Sequence, residues 1–246
     1  MNEKIYIYGI NAIFEVLNNK SDQLIEVLLD NNVSNNRILK LIDIIQKKSI
    51  NLRRISTQEI EQITGTSKNQ GIAAAIKRPA ILDSKSALNF IKTIQNPLIL
   101  ILDGLQDPRN VGACMRTANA SGVNLIVFPR SRKIKMTPII SKVSSGASAL
   151  IQIAEIPNLV RFIKELKKIG LWICGTSEIA ETKYWEIDYN LPLAVILGSE
   201  GKGMRPLTMK HCDYLVSIPM IGEVKSLNVS VVAGVVLYEA LRQRSS

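Results

Sequence analysis

From Leu98 onward, short apolar runs recur between breaks marked by glycine, proline and aspartate: Leu98 to Leu102, Val123 to Phe128, Leu171 to Cys174, Leu193 to Leu197 and Tyr214 to Ile218. Each run is continuous rather than alternating, the pattern of a strand buried on both faces of a parallel sheet. Between several of them, apolar positions fall at three- and four-residue spacing. This predicts helices over Val111 to Ser121, Asn158 to Lys168 and Val229 to Arg242. Strand–helix alternation predicts an α/β fold with parallel strands, where ligands bind beyond the carboxyl ends of the strands. Val229, Val232, Val236 and Ala240 share one face of the last helix and read as core.

The first part of the chain reads as a smaller α/β unit. Leu24 to Leu29 predicts a strand, Arg37 to Ile45 a helix, and Gly71 to Ile76 a buried strand ended by Lys77-Arg78-Pro79. Thr57 is placed to cap a further helix. The polar stretch around Asp83-Ser84-Lys85-Ser86 reads as a connection. The expected division is therefore a domain over 1–78, a linker over 79–87 and a second domain over 88–246, a size that suits two domains.

With 46% hydrophobic residues the chain can bury a sizeable core. No apolar run approaches the roughly 18 residues of a membrane span, and the N-terminus lacks a signal-peptide layout. A cytoplasmic protein without membrane contact is expected. Cys114, Cys174 and Cys212 are odd in number and far apart, and His211 is the single histidine. Neither a disulfide framework nor a metal site is expected. Against this ordinary background the charge stands out: 31 Lys and Arg against 21 Asp and Glu, a formal +10, which favours a polyanionic partner. Only 5% of residues are aromatic, which argues against a broad base-stacking platform.

Three segments at predicted strand ends carry the chemistry. In Asp103 to Ala118, Asp107-Pro108 makes a turn, Asn110 is placed to cap the helix, and Gly122 stops it. Ala113, Thr117 and Ala120 give that helix one face of small residues. Arg116 lies on another face, and helical side chains lean toward the N-terminus, so its guanidinium should reach back toward the Asn110 loop. A cation there opposes the positive helix end, a placement that makes sense beside a bound anion. In Gly198 to Pro206, three glycines permit positive φ and close backbone approach, and Glu200 sits at the strand's carboxyl end. This loop is neither G-x-G-x-x-G nor a P-loop. In Ile218 to Gly234, Asn228 can cap the last helix, and Ser226 and Asn228 sit where strand and helix ends converge. Taken singly, Asn110 reads as a cap and Arg116 as a surface ion pair, while the Glu200 loop reads equally as a ligand-binding loop or as a surface turn with a solvated glutamate.

Taken together, the three segments resemble the SpoU (TrmH) branch of the SPOUT methyltransferases. Asn110 to Ala118 matches N-x-G-A-x-x-R-T-A, and Leu197 to Met204 matches L-G-x-E-G-x-G-M. Ile218 to Val232 matches I-P-M-x-G-x-x-x-S-L-N-V-S-V-A, with Val232 for Ala. The resemblance covers nearly the whole chain. Tyr8 to Ala12 and Asn69 to Ala73 look like the N-terminal domain of members acting on large-subunit ribosomal RNA. Asn69 stands where His is usual, Ala149 where Glu is common, and Lys225 adds a charge to the third loop. The change at Asn69 touches RNA binding and leaves the methyl-transfer site in place.

The resemblance implies a small L30e-like RNA-binding domain followed by a SPOUT domain with a parallel sheet and a deep trefoil knot. It implies a homodimer with the active site built across the interface. The implied reaction is 2'-O-methylation of a guanosine ribose in 23S ribosomal RNA, free or in a pre-ribosomal particle, with S-adenosylmethionine as donor. Thr176, Gly198, Ile218, Met220 and Leu227 would hold the cofactor. Asn110, Arg116, Glu200 and Asn228 would form the catalytic set. Arg116 would take the hydroxyl proton or, because arginine stays protonated, polarise the hydroxyl together with a phosphate. Asn110 and Asn228 would orient the ribose and neighbouring loops. Glu200 would hold Arg116 or the substrate, with Ser226 assisting. The competing readings are methylation of a transfer-RNA ribose and a non-catalytic RNA-binding ribosome-assembly factor.

Overall fold

The structure, a computed structural model, describes residues 4–33, 35–77, 80–130, 151–201 and 203–245. Arg78 and Pro79, expected to stop a strand, and Ala149, noted above, lie outside the described residues. Two compact units result, one up to Lys77 and one from Ala80 onward.

In the first unit β1 (Lys4–Tyr8), β2 (Leu24–Asp30), β3 (Asn51–Ile55) and β4 (Ile72–Lys77) form a sheet of order β1-β4-β2-β3. β4 runs antiparallel to both neighbours, while β2 and β3 are parallel. Successive side chains alternate between faces. Val27, Leu29, Ala74 and Ile76 pack with Ile13 and Leu17 of α1 (Ile10–Asn19) and Ile38, Leu41 and Ile45 of α2 (Asn36–Lys47). Leu28 and Ala73 face the other way, onto Ile60 of α3 (Thr57–Thr64).

Two sequence expectations change here. Ser56, not Thr57, caps α3: it has the extended backbone of a cap residue, its hydroxyl accepts from Glu59 N, and Glu59 accepts from Ser56 N. Asn69 is buried inside the turn into β4, where it accepts from Gly71 N at 2.8 Å and donates to Thr66 O at 2.8 Å. The residue is a turn clamp rather than a surface group offered to RNA. Its neighbour Gln70 accepts from Ile10 N at 2.8 Å, supplying the cap that Gly9 cannot give α1.

The second unit holds β5 (Leu98–Asp103), β6 (Leu125–Pro129), β7 (Gln152–Ile156), β8 (Trp172–Thr176), β9 (Leu193–Gly198) and β10 (Tyr214–Val216). Their order is β10-β8-β9-β5-β6-β7, and every pairing is parallel. The continuous apolar runs are explained by burial on both faces. Leu98, Leu100 and Leu102 face α5 (Pro108–Ala120) and α8 (Val229–Arg244), while Ile99 and Ile101 face α4 (Ser84–Lys92) and α6 (Leu159–Lys168). β7, not expected from the sequence, is an edge strand whose Gln152 and Glu155 broke the apolar pattern.

The expected linker is also corrected. Leu82 exchanges hydrogen bonds with Ile153 O and Glu155 N at 2.9 Å each, extending the sheet edge, and Asp83 caps α4 by accepting from Ser86 N. The polar run opens a helix because aspartate followed by serine is a good helix start.

The chain end is latched to the domain. Arg244 donates to the carbonyls of Tyr189, Asn96 and Leu191 at 2.7–2.9 Å, and Gln243 accepts from Tyr189 N. Among the described residues no helix is long and apolar enough to cross a membrane. Arg244→Ala should lower unfolding free energy by about 2 kcal/mol, since hydrogen bonds to charged groups each contribute on the order of 1.5–3 kcal/mol. Arg244→Lys should rescue little of it, because one ammonium cannot span the guanidinium's fork. Urea denaturation of the three proteins checks this.

Candidate active site

The carboxyl ends of β5, β9 and β10 lead into the three segments singled out above. After β5, Asp107 caps α5 by accepting from Arg109 N at 2.9 Å, and Pro108 occupies the first turn. Asn110 is therefore not the cap. A proline suits the first helical position because its missing N–H would be unpaired there anyway, and this shifts the cap to Asp107. Asn110 is left with its amide free to act across the molecule.

After β9 the chain doubles back. Ser199 and Gly203 exchange backbone hydrogen bonds at 3.0 and 2.9 Å, and Gly201 and Gly203 take positive φ of 73° and 62°. The return strand lies so close that a Cβ on Gly198 would stand 2.2 Å from Gly203 C and Met204 N. Gly198 is thus required by its own loop, and Glu200 is carried at the loop's tip.

After β10, a stretch through Ile218, Pro219 and Met220 leads to Leu227 and Asn228. Asn228 caps α8, its side-chain oxygen accepting from Ser230 N at 2.9 Å and Ser230 Oγ at 2.6 Å. The expected cap is observed.

These ends meet. Glu200 Oε1 accepts from Asn110 Nδ2 and, at 2.9 Å, from Asn228 Nδ2; Asn228 Nδ2 also reaches Asn110 Oδ1 at 3.2 Å. The two amides hold one carboxylate oxygen and leave Oε2 without a described partner. Behind the cluster lies Cys114, whose thiol is pushed up to about 12 by burial and, secondarily, by the charge of Glu200. Burial also pushes Cys212 up to about 11. Both thiols stay protonated at neutral pH and are not poised as nucleophiles.

A cavity of about 840 Å³ adjoins the cluster. Thr176, Gly198, Ile218, Met220 and Leu227 all line it, as do Glu200, Ser226 and Asn228. Asn110 touches it only through Glu200 and Asn228. Arg116 does not line it. Six residues beyond Asn110, Arg116 sits roughly 120° round the helix from it. It is exposed and has no hydrogen-bond or ion-pair partner among the described residues. The expected reach back to Asn110 is not made, and Glu200 holds the two asparagines rather than Arg116.

Asp103 lies outside all three motifs. Its buried carboxylate ends the apolar run of β5 and accepts from Arg205 N at 3.2 Å and Thr208 Oγ1 at 2.9 Å, with Arg205 Nε at 3.5 Å. It clasps the exit of the Glu200 loop onto α7 (Pro206–Met209). The available signal was a charge at the end of an otherwise wholly apolar strand.

A parallel α/β domain with a mixed apolar and polar cavity beyond its strand ends is of the class that binds nucleotide-like ligands. The chain belongs to the SpoU rRNA Methylase family, whose model matches residues 97–238. A second model, RNA 2'-O ribose methyltransferase substrate binding, matches residues 6–82. Relatives named 23S rRNA (guanosine-2'-O-)-methyltransferase RlmB are found in Xylella fastidiosa (strain 9a5c), 38% identical, covering 100% of this chain and 99% of the relative. The relative in Haemophilus ducreyi is 40% identical, with 98% of each covered. Among solved structures, an RNA 2'-O ribose methyltransferase superposes with a TM-score of 0.74 at 25% identity, covering 100% of this chain and 90% of the other. The SpoU methyltransferase AviRb from Streptomyces viridochromogenes, solved with AdoMet, shares the fold with a TM-score of 0.75 at 21% identity, covering 98% and 91%.

Asp103→Ala should destabilise the protein by about 2–3 kcal/mol, because a buried hydroxyl and a backbone N–H lose their acceptor. Thr208→Val, removing one of these bonds, should cost about 1 kcal/mol. Thermal and urea unfolding of both variants would test the clasp, and losses no larger than those of surface substitutions would disprove it.

Proposed function

We propose that this chain transfers a methyl group from S-adenosylmethionine to the ribose 2'-hydroxyl of a guanosine in 23S ribosomal RNA, free or within a pre-ribosomal particle. The observation that carries this reading is the convergence of Asn110, Glu200 and Asn228 at the lip of the cavity, in a chain 38% identical over its length to a protein named for that activity.

The cavity's residues fit the cofactor. Its volume of about 840 Å³ lies within the usual range for drug-sized ligands. Ile218, Leu227 and Val232 offer apolar walls for a purine, and Thr176, Ser177 and Ser217 offer polar groups for its sugar and amino-acid end. When bound, S-adenosylmethionine supplies a methyl group on a positively charged sulfur. The chain's part is to place the hydroxyl in line with that methyl, and positioning of this kind accounts for much of such rate enhancements. Glu200, whose Oε2 has no partner among the described residues, can accept a hydrogen bond from the substrate, while Asn110 and Asn228 fix its orientation. Arg116 stabilises developing negative charge on the ribose oxygen, together with a backbone phosphate.

Arg116 does not reach its own cavity, which supports a homodimer in which each copy completes the partner's site. Two further observations support this. From Val231 to Tyr238 α8 is apolar on every face; the helix buries Val229, Ala233 and Val236 while exposing Val231 and Tyr238 at 47% and 51%. It packs beside α5, which bears Arg116. The deep trefoil knot belongs to the same proposal, supported by the return of the chain from edge strand β10 to α8 beside α5. The unit up to Lys77 would be the L30e-like RNA-binding domain and the unit from Ala80 onward, α4 included, the catalytic domain. This reading places the protein in the cytoplasm with its ribosomal substrate.

Tritium transfer from labelled S-adenosylmethionine to 23S RNA, followed by mass mapping, tests the reaction. Label in a guanosine ribose is expected, and its absence would refute the proposal. Arg116→Ala should lose more than about 100-fold in turnover while binding cofactor normally, the scale of losing one oxyanion-stabilising donor. Arg116→Ala mixed with Glu200→Gln should recover roughly a quarter of wild-type activity by subunit exchange, if each site uses both copies of a two-fold dimer. Recovery of nothing would place Arg116 and Glu200 in the same subunit's site. A charged substitution at Val231 should give a monomeric mass in light scattering.

A further inference from the structure

Two described residues lining the cavity carry positive charge, Lys183 and Lys225, and neither forms an ion pair with a described residue. Lys225 is exposed on the third loop. Lys183 is half-buried and built into the sheet edge. Residues 182–184 run alongside β10, with Ser217 N donating to Thr182 O at 2.8 Å and Tyr184 N donating to Ser217 O at 3.0 Å. Glu186 is engaged by the backbone N–H of Lys183 at 2.6 Å, not by its ammonium. That ammonium donates to the hydroxyl of Ser217 at 3.3 Å. An ammonium has three donors, so two remain for a ligand. Holding a half-buried cation against a neutral hydroxyl is costly unless an anion completes it.

We propose that Lys183 receives the α-carboxylate of S-adenosylmethionine and makes the cavity selective for a cofactor with an intact amino-acid end. This rests on the functional reading above. The cofactor has two cationic centres, the sulfonium and the ammonium, and one anion. A lysine on the wall disfavours the first two and is matched only by the carboxylate. The strand order explains why Lys183 is not neutralised by Glu200. Segment 182–184, β10, β8 and β9 are successive neighbours, so about three spacings of roughly 4.8 Å separate Lys183 from the strand that leads to Glu200. The carboxylate of the catalytic cluster and the lysine stand apart across the cavity, each free for a different group.

Calorimetric titration of the full chain with S-adenosylhomocysteine and with S-adenosyl-3-thiopropylamine, which lacks only the carboxylate, tests this. Wild type should bind the first about tenfold more tightly, and Lys183→Met should lose about tenfold for the first and nothing for the second, as expected of one charged hydrogen-bonded pair near solvent. Lys183→Arg should restore part of the loss. Equal weakening for both ligands would mean that Lys183 only stitches residues 182–184 to Ser217, and the proposal falls. It also falls if wild type does not discriminate, a result that stands even if the variants fold poorly. A raised KM for RNA with unchanged affinity for S-adenosylhomocysteine would reassign Lys183 to a phosphate and overturn it. If wild type binds neither ligand, the functional reading itself fails.

Discussion

One carboxylate oxygen joins three loops. Asn110 and Asn228, separated by 118 residues, both donate to Glu200 Oε1, and the candidate catalytic cluster depends on that meeting. The bonds are near the surface, and each contributes only on the order of 1 kcal/mol. They cannot by themselves hold loops against conformational entropy. The loops arrive already placed because their parent strands are fixed in register: Asp103 pairs with Gly198, so the turns that follow β5 and β9 start side by side.

The placement of Glu200 is then set by backbone sterics. The loop folds back so tightly on Gly198 that no side chain fits there, and two further glycines take the left-handed turns. Asp103 holds the exit of the loop from beneath. Its Oδ2 takes both the N–H and the hydroxyl, while the buried Oδ1 makes no hydrogen bond among the described residues and faces only the Arg205 guanidinium at 3.5 Å. The cavity wall on the far side is built differently, from a short segment laid along β10. The two sides of the pocket therefore have independent supports.

Legibility from sequence followed burial. Runs such as Leu98 to Leu102 and Leu193 to Leu197 were readable because both faces of those strands are covered, leaving no polar interruption. β7 was not, because an edge strand tolerates Gln152 and Glu155. Helix starts were displaced by one to three residues. Ser56 took the cap from Thr57, and Asp107 took it from Asn110, since cap choice depends on where the preceding strand or proline fixes the backbone. Asn69 showed the opposite limit: a polar residue in a recognisable motif proved to be internal to a turn. All five residues expected to hold the cofactor line one cavity, whereas Arg116 lies off it on the exposed face of α5.

By itself, the sequence determined the class of fold, the strand ends at which chemistry could gather and, through three ordered motifs, the family. Periodicity and glycine placement are local properties, and they are written in neighbouring residues. What only the tertiary structure decided was which side chains meet. The sharing of Glu200 by two distant amides, the clasp of Asp103 on the loop exit and the separation of Lys183 from Glu200 all depend on strand order. Strand order is set by how whole layers pack, and no residue's immediate neighbours record it.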